Sequence, residues 1–143
     1  MLGYEVDYDP GMNDSSLLDL AARKGGALLT RDEELHGRAV ARHVTALLVT
    51  GNSEEERLAN VARQFGINLV VDMSLTRCPK CGSSLSRAEK TDLAKTVPAS
   101  SLKLYHEFWK CSNINCGKVY WRGSHWKNID LALANARSLV GAR

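Results

Sequence analysis

No apolar run in this 143-residue sequence is long enough to cross a membrane. A spanning helix needs about 20 apolar residues, and the chain's apolar runs are as short as Thr45-Ala46-Leu47-Leu48-Val49. The segment Met1-Leu2-Gly3-Tyr4-Glu5-Val6-Asp7 has neither a basic region nor an apolar core, so it does not read as a signal peptide. Lipidation signals, low-complexity tracts, internal repeats and a basic amphipathic helix are all missing, which argues against a lipid surface as partner. A cytoplasmic protein without membrane association is the expectation. Aromatic residues are scarce, at 6% of the chain, and there are only four cysteines. With 44% hydrophobic and 24% charged residues the composition is globular. The length suits one ordinary domain, or a small domain plus a metal-stabilised module.

Charge is unevenly placed. Residues 1–73 carry seven Lys and Arg against twelve Asp and Glu, a net −5; residues 74–143 carry twelve against four, a net +8. Such a split points to two units facing different partners, the basic one favouring nucleic acid.

The acidic half alternates strand-like and helix-like segments. Tyr4–Tyr8 alternates as an edge strand does, and Asp9-Pro10-Gly11-Met12-Asn13 is turn chemistry. Asp14 can cap a helix through Lys24, with Leu17, Leu18, Leu20 and Ala21 on its apolar face and Gly25-Gly26 at its end. Ala27–Thr30 reads as a short buried strand, Asp32 to about Arg42 as a helix, and Thr45–Val49 as a second strand. Ser53-Glu54-Glu55-Glu56 is a capping box opening a helix to about Phe65; Gly66 stops it and Ile67–Val71 reads as a last strand. The alternation predicts an α/β class with a parallel sheet and βαβ crossovers.

In such sheets, sites form at the carboxyl ends of strands. Thr30-Arg31-Asp32-Glu33-Glu34 falls there, and Asp14 starts the preceding helix. Converging carboxylates hold Mg²⁺ or Mn²⁺, hard ions that take oxygen ligands, and paired metals clamp the oxygens of phosphodiester cleavage. Acidic residues at helix N-termini also serve simply to complement the helix dipole. Glu54–Glu56 reads as a solvated helix start, and His36 and His43 as structural or exposed.

All four cysteines lie in the basic half, as Cys78-Pro79-Lys80-Cys81-Gly82 and Cys111-Ser112-Asn113-Ile114-Asn115-Cys116-Gly117, with 29 residues between Cys81 and Cys111. Two such turns supply four sulfurs for a tetrahedral metal, with zinc favoured over iron, and disulfides disfavoured by the cytosolic context. The spacing also resembles rubredoxins, but the second turn is Cys-x₄-Cys and this half is basic. Four thiolates leave no open position for catalysis, so the metal is structural.

Six of the nine aromatics crowd near the second turn: Tyr105, Phe108, Trp109, Tyr120, Trp121 and Trp126. They interleave with Lys103, His106, Lys110, Lys118, Arg122, His125 and Lys127. Rings stack on bases while Lys and Arg meet phosphates, which makes Lys118, Tyr120, Trp121, Arg122, His125 and Trp126 candidates for RNA contact. Packing over the metal turns or against the other half is the competing role, preferred for Phe108 and Trp109, and for Tyr120–Trp126 inter-domain packing stands level with RNA contact. Between the turns, Ser86–Lys95 and Ala99–Tyr105 look like short helices broken at Pro98, and a helix near Trp126–Val140 closes the chain.

Leu2-Gly3-Tyr4, Asp14 and Leu28-Leu29-Thr30-Arg31-Asp32 precede Leu75-Thr76-Arg77-Cys78-Pro79-Lys80-Cys81-Gly82. Phe108-Trp109-Lys110-Cys111 and Val119-Tyr120-Trp121-Arg122-Gly123-Ser124-His125-Trp126 follow. Together they resemble the Mut-seven C-terminal RNase domain family, over nearly the whole chain. The resemblance implies a PIN-like nuclease fold with a zinc ribbon, and a divalent metal held by carboxylates that cuts RNA by activating water. Asp14 and Asp32 match two acidic motif positions, and Glu34 falls where a further acid often lies. The family pattern also implies a strand and helix ahead of Leu2, the strand bearing a first carboxylate.

The expected architecture is therefore a PIN-like α/β domain over residues 1–73, N-terminally incomplete, a Cys₄ zinc ribbon with a basic aromatic tail over 74–126, and a C-terminal helix over 127–143. The leading functional expectation is an RNA-acting protein, a Mg²⁺- or Mn²⁺-dependent ribonuclease if the natural N-terminus is longer. The alternatives are a non-catalytic RNA-binding module of a ribonucleoprotein such as the ribosome, and a rubredoxin-like iron protein.

Overall fold

The computed structural model describes residues 1–142; Arg143, the last residue of the expected C-terminal helix, lies outside them. The chain is mixed α/β and its described residues divide into two compact units, one of residues 7–68 and 132–142, the other of residues 1–6 and 69–131.

In the first unit, α1 (Asp14–Lys24) is capped by Asn13 rather than Asp14: the Asn13 side chain accepts the Ser16 N–H at 2.9 Å. Such a cap stabilises by about 1 kcal/mol. Gly25 closes the helix in the left-handed conformation. Strand β1 (Leu28–Thr30) leads through α2 (Glu33–Ala41) to β2 (Ala46–Leu48), and β1 and β2 pair in parallel with Leu28 opposite Ala46 and Thr30 opposite Leu48. This is the expected βαβ crossover. Leu18, Leu28, Leu35, Ala39 and Val44 form one buried cluster, with Leu17, Ala21 and Ala46 packed on it. Leu18 is fully buried; such burial contributes about 1.5–3 kcal/mol. His43 lies past the end of α2 with φ 56°, so it does not share a helix face with His36.

Helix α3 (Glu54–Phe65) carries the capping box in full: Ser53 accepts the Glu56 N–H, and the Glu56 carboxylate accepts the N–H groups of Ser53 and Asn52. Gly66 ends it in the left-handed region.

Two expected strands do not form. Residues 4–8 lie outside any sheet, with Val6 77% and Tyr8 84% exposed, and residues 67–71 likewise belong to no strand. Alternation makes a segment strand-competent, but a strand exists only where a neighbour accepts and donates its backbone hydrogen bonds.

In the second unit, β3 (Leu85–Ala88), β4 (Phe108–Cys111) and β5 (Val119–Trp121) form an antiparallel ribbon in that order. Ser86-Arg87-Ala88, expected to be helical, instead pairs with Lys110, Trp109 and Phe108. Helix α4 spans only Lys90–Leu93, and α5 (Ala99–Leu104) follows Pro98. One ribbon face carries Ala88, Phe108 and Trp121 on a single row; Leu93, Val97 and Phe108 form the cluster they pack on, with Tyr105 and Val119. The next row, Arg87, Trp109 and Tyr120, points to the opposite face. Thr76, buried at 3% exposure, directs its hydroxyl to the carbonyls of Met1 (2.7 Å) and Asp72 (2.9 Å). Helix α6 (Ser124–Gly141) runs from the second unit into the first, and Arg63 donates to its Leu139 carbonyl at 2.8 Å. Among the described residues no helix is long and apolar enough to cross a membrane.

Candidate metal centre and nucleic-acid interface

The ribbon brings Cys78, Cys81, Cys111 and Cys116 together, with their sulfurs all within 4.8 Å of one another. Cys78 and Cys116 are 3.8 Å apart and Cys81 and Cys111 3.3 Å. A zinc–sulfur bond of about 2.3 Å in a tetrahedron sets sulfurs about 3.8 Å apart, so the four residues fit such an ion. Local backbone geometry explains the gathering. Cys78 N–H donates to Ser83 O and Gly82 N–H to Cys78 O, closing the first turn. Cys116 and Gly117 both donate to Asn113 O, closing the second, and Cys111 N–H donates to Lys118 O at 2.8 Å.

The four thiols are not equivalent. Cys78 and Cys111 are buried, Cys116 half-buried and Cys81 exposed. Hydrogen bonds from the Ser83 hydroxyl and backbone, and then from Cys111, hold the Cys81 thiol down to about 6. Burial, then its thiol neighbours, pushes Cys111 up to about 12 against the pull of the Asn113 backbone. Burial acts to raise Cys78, but the Tyr120 hydroxyl and the backbone of Cys81 and Lys80 outweigh it and lower its pKa. The Tyr120 hydroxyl, 3.1 Å from Cys78 Sγ, is itself raised by burial and by that bond. Zinc is the ion that four sulfurs suit, and bound there it would knit the two turns into one core.

Sequence reading missed this task of Tyr120, because the two residues are 42 positions apart. The available signal was the competing role of these rings, packing over the metal turns.

The aromatic tail is largely engaged within the fold. The Trp121 ring lies 6.0 Å from that of Phe108. Trp126 is 8% exposed, with the Arg122 guanidinium 5.2 Å from its ring centroid. A side chain at position 123 would sit 3.2 Å from Trp121 Nε1, so glycine there lets that ring approach the start of α6. Trp126 Nε1–H is buried without a hydrogen-bond partner. Lys118, Arg122 and His125 are exposed, and Tyr120 and Trp121 half-buried.

The candidate catalytic acids sit in the first unit. Asp32 caps α2, accepting the Leu35 N–H at 3.0 Å, and its own N–H is held by Thr30 Oγ1. Asp14 opens α1 and faces Arg38 at 3.5 Å, while Ser15 accepts from the same guanidinium at 3.0 Å. Glu34 lies exposed in the first turn of α2. Among the described residues the four cysteines are the group of three or more potential ligands gathered closely enough for one ion; Asp14, Asp32 and Glu34 do not form one.

The profile described as the Mut7-C RNAse domain matches residues 1–133, which takes in most of both units. No curated protein and no solved structure matches the chain. With a match over that much of its length, the chain belongs to the Mut7-C RNAse domain family.

Proposed function

We propose that the protein acts on RNA as a hydrolytic ribonuclease, with the α/β unit carrying the acidic side chains and a zinc ribbon holding the RNA. The observation that carries this reading is the family match over residues 1–133. The strongly basic second half supports it, since Lys and Arg neutralise backbone phosphates. In this reading Asp14, Asp32 and Glu34 are the catalytic acids, and Lys118, Arg122 and His125 meet the RNA, with Tyr120, Trp121 and Trp126 shaping the surface beneath them. Zinc at Cys78, Cys81, Cys111 and Cys116 supplies folding free energy and no open coordination position. Mg²⁺ or Mn²⁺ is the cofactor the reaction class calls for. The three acids do not assemble its oxygen donor set by themselves.

That same placement of the acids favours a second reading, a non-catalytic RNA-binding module of a ribonucleoprotein. Asp32→Asn separates the two. Asparagine caps a helix as well as aspartate, so the variant keeps α2 while changing the charge. Loss of RNA cleavage in Mn²⁺ with binding retained establishes the nuclease. Binding without cleavage in both proteins establishes the second reading. Absence of both binding and cleavage overturns both.

A further inference from the structure

We infer that the tip of the zinc ribbon is a single-stranded RNA grip, formed by Lys80, Lys110 and Lys118 around an exposed Ile114. The inference rests on the RNA reading above and extends the RNA surface from Lys118, which the aromatic tail shares, to the two metal turns.

Charge is the first ground. Residues 73–88 and 108–129 contain no Asp or Glu, yet hold Arg77, Lys80, Arg87, Lys110, Lys118, Arg122 and Lys127. Two arginines have polar partners, Arg77 donating to Gly82 O and Arg87 pairing with Glu107 at 3.2 Å, while Arg122 lies over Trp126 in the aromatic tail. Lys80, Lys110 and Lys118 are exposed and have no carboxylate partner among the described residues.

Placement is the second. Each of the three lies one or two residues from a cysteine whose sulfur is within 4.8 Å of the others, so all three stand at one end of the ribbon. Lys110 and Lys118 occupy neighbouring rows and therefore opposite faces, straddling the second turn. Lys110 Cε runs 3.9 Å from where a side chain on Gly117 would begin.

The third ground is Ile114, which is 95% exposed at the crest of that turn. The turn is fixed by three bonds to Asn113, from Cys116 N–H, Gly117 N–H and Asn115 N–H. A rigid apolar knob on a turn flanked in the chain by exposed lysines matches a strand whose phosphates are charged and whose unstacked bases offer apolar faces. A protein partner would meet the same knob but needs an acidic surface around it.

The test is fluorescence anisotropy with a labelled oligouridine, without added Mg²⁺ or Mn²⁺, on the zinc-loaded full chain. The triple variant Lys80→Gln, Lys110→Gln, Lys118→Gln is compared with Lys95→Gln, Lys103→Gln, Lys127→Gln, an equal loss of charge elsewhere. Three lost phosphate contacts lower the slope of log affinity against log salt by about 2, and the affinity by about tenfold or more at moderate salt. The control keeps most of its affinity. Ile114→Ser weakens binding about threefold without altering the salt slope.

Equal losses in the two triple variants overturn the proposal, since net charge alone would then bind RNA. So does unchanged RNA affinity with weakened zinc binding, which would make the lysines mere counter-charges to the thiolates. RNA affinity untouched by Ile114→Ser assigns that knob to a protein partner and overturns the grip as drawn. If the wild-type chain binds and cleaves RNA while the knuckle triple variant binds equally well, the grip fails and the ribonuclease reading stands. If the wild-type chain does not bind RNA, both fail.

Discussion

The Tyr120 hydroxyl lies 3.1 Å from Cys78 Sγ, joining the middle of β5 to the first metal turn. A phenol donating to a thiolate spreads the sulfur's charge and fixes its direction, as outer-shell groups do at metal sites. Tyr120→Phe removes that bond and little volume. The variant should fold and bind one zinc, with affinity lowered about tenfold, as read by competition with a chelating dye. Unchanged affinity would leave the hydroxyl no role at the metal.

Zinc affinity should depend steeply on pH. Without metal, burial holds the proton on Cys111, whose pKa is near 12, so binding must displace it at any pH from 6 to 8. Cys81, held down to about 6, has largely lost its proton by pH 8. Affinity therefore rises with pH, by about tenfold or more per unit across this window. Isothermal titration in buffers of different ionisation enthalpy reads the released protons directly. A pH-independent affinity would contradict the assignment.

His43, at φ 56°, is the one non-glycine residue with positive φ among those described, and it closes α2 where glycine is usual. Val44 N–H then reaches back to Ala39 O at 2.9 Å. His43→Gly relieves the left-handed strain at some cost in chain entropy, a net stabilisation of about 0.5–1 kcal/mol by denaturant unfolding. A loss of stability would show that the imidazole holds the turn.

Phe108 is fully buried between the ribbon and the short helices α4 and α5. Phe108→Ala should cost about 3–5 kcal/mol and weaken zinc retention, because β4 carries Cys111. Thermal unfolding with and without chelator measures both.

What could be read from the chain follows from how local each signal is. Ser53 and Glu56 announce α3 because the capping box closes within four residues. Leu28–Thr30 and Ala46–Leu48 announce β1 and β2 through short apolar runs on either side of a helix. The cysteines announce the metal centre through spacing alone. Arg87 does not announce β3: Ser86-Arg87-Ala88 has helical propensity, and only the register against Phe108–Lys110 makes it a strand. Tyr4–Val6 shows the converse, an alternating pattern that joins no sheet. Asp14 and Asp32 were legible as helix-start acids, but Arg38, which faces Asp14 from 24 positions away, was not. Trp126 was legible as an aromatic among basic residues, whereas its burial depends on tertiary packing.

The most direct measurement is the fate of an end-labelled single-stranded RNA incubated with the zinc-loaded chain, in Mn²⁺ and in its absence, beside a DNA of the same sequence. The account predicts discrete RNA fragments in Mn²⁺ alone, with the DNA left intact. RNA that is neither bound nor cut, under conditions where one zinc per chain is retained, would contradict it.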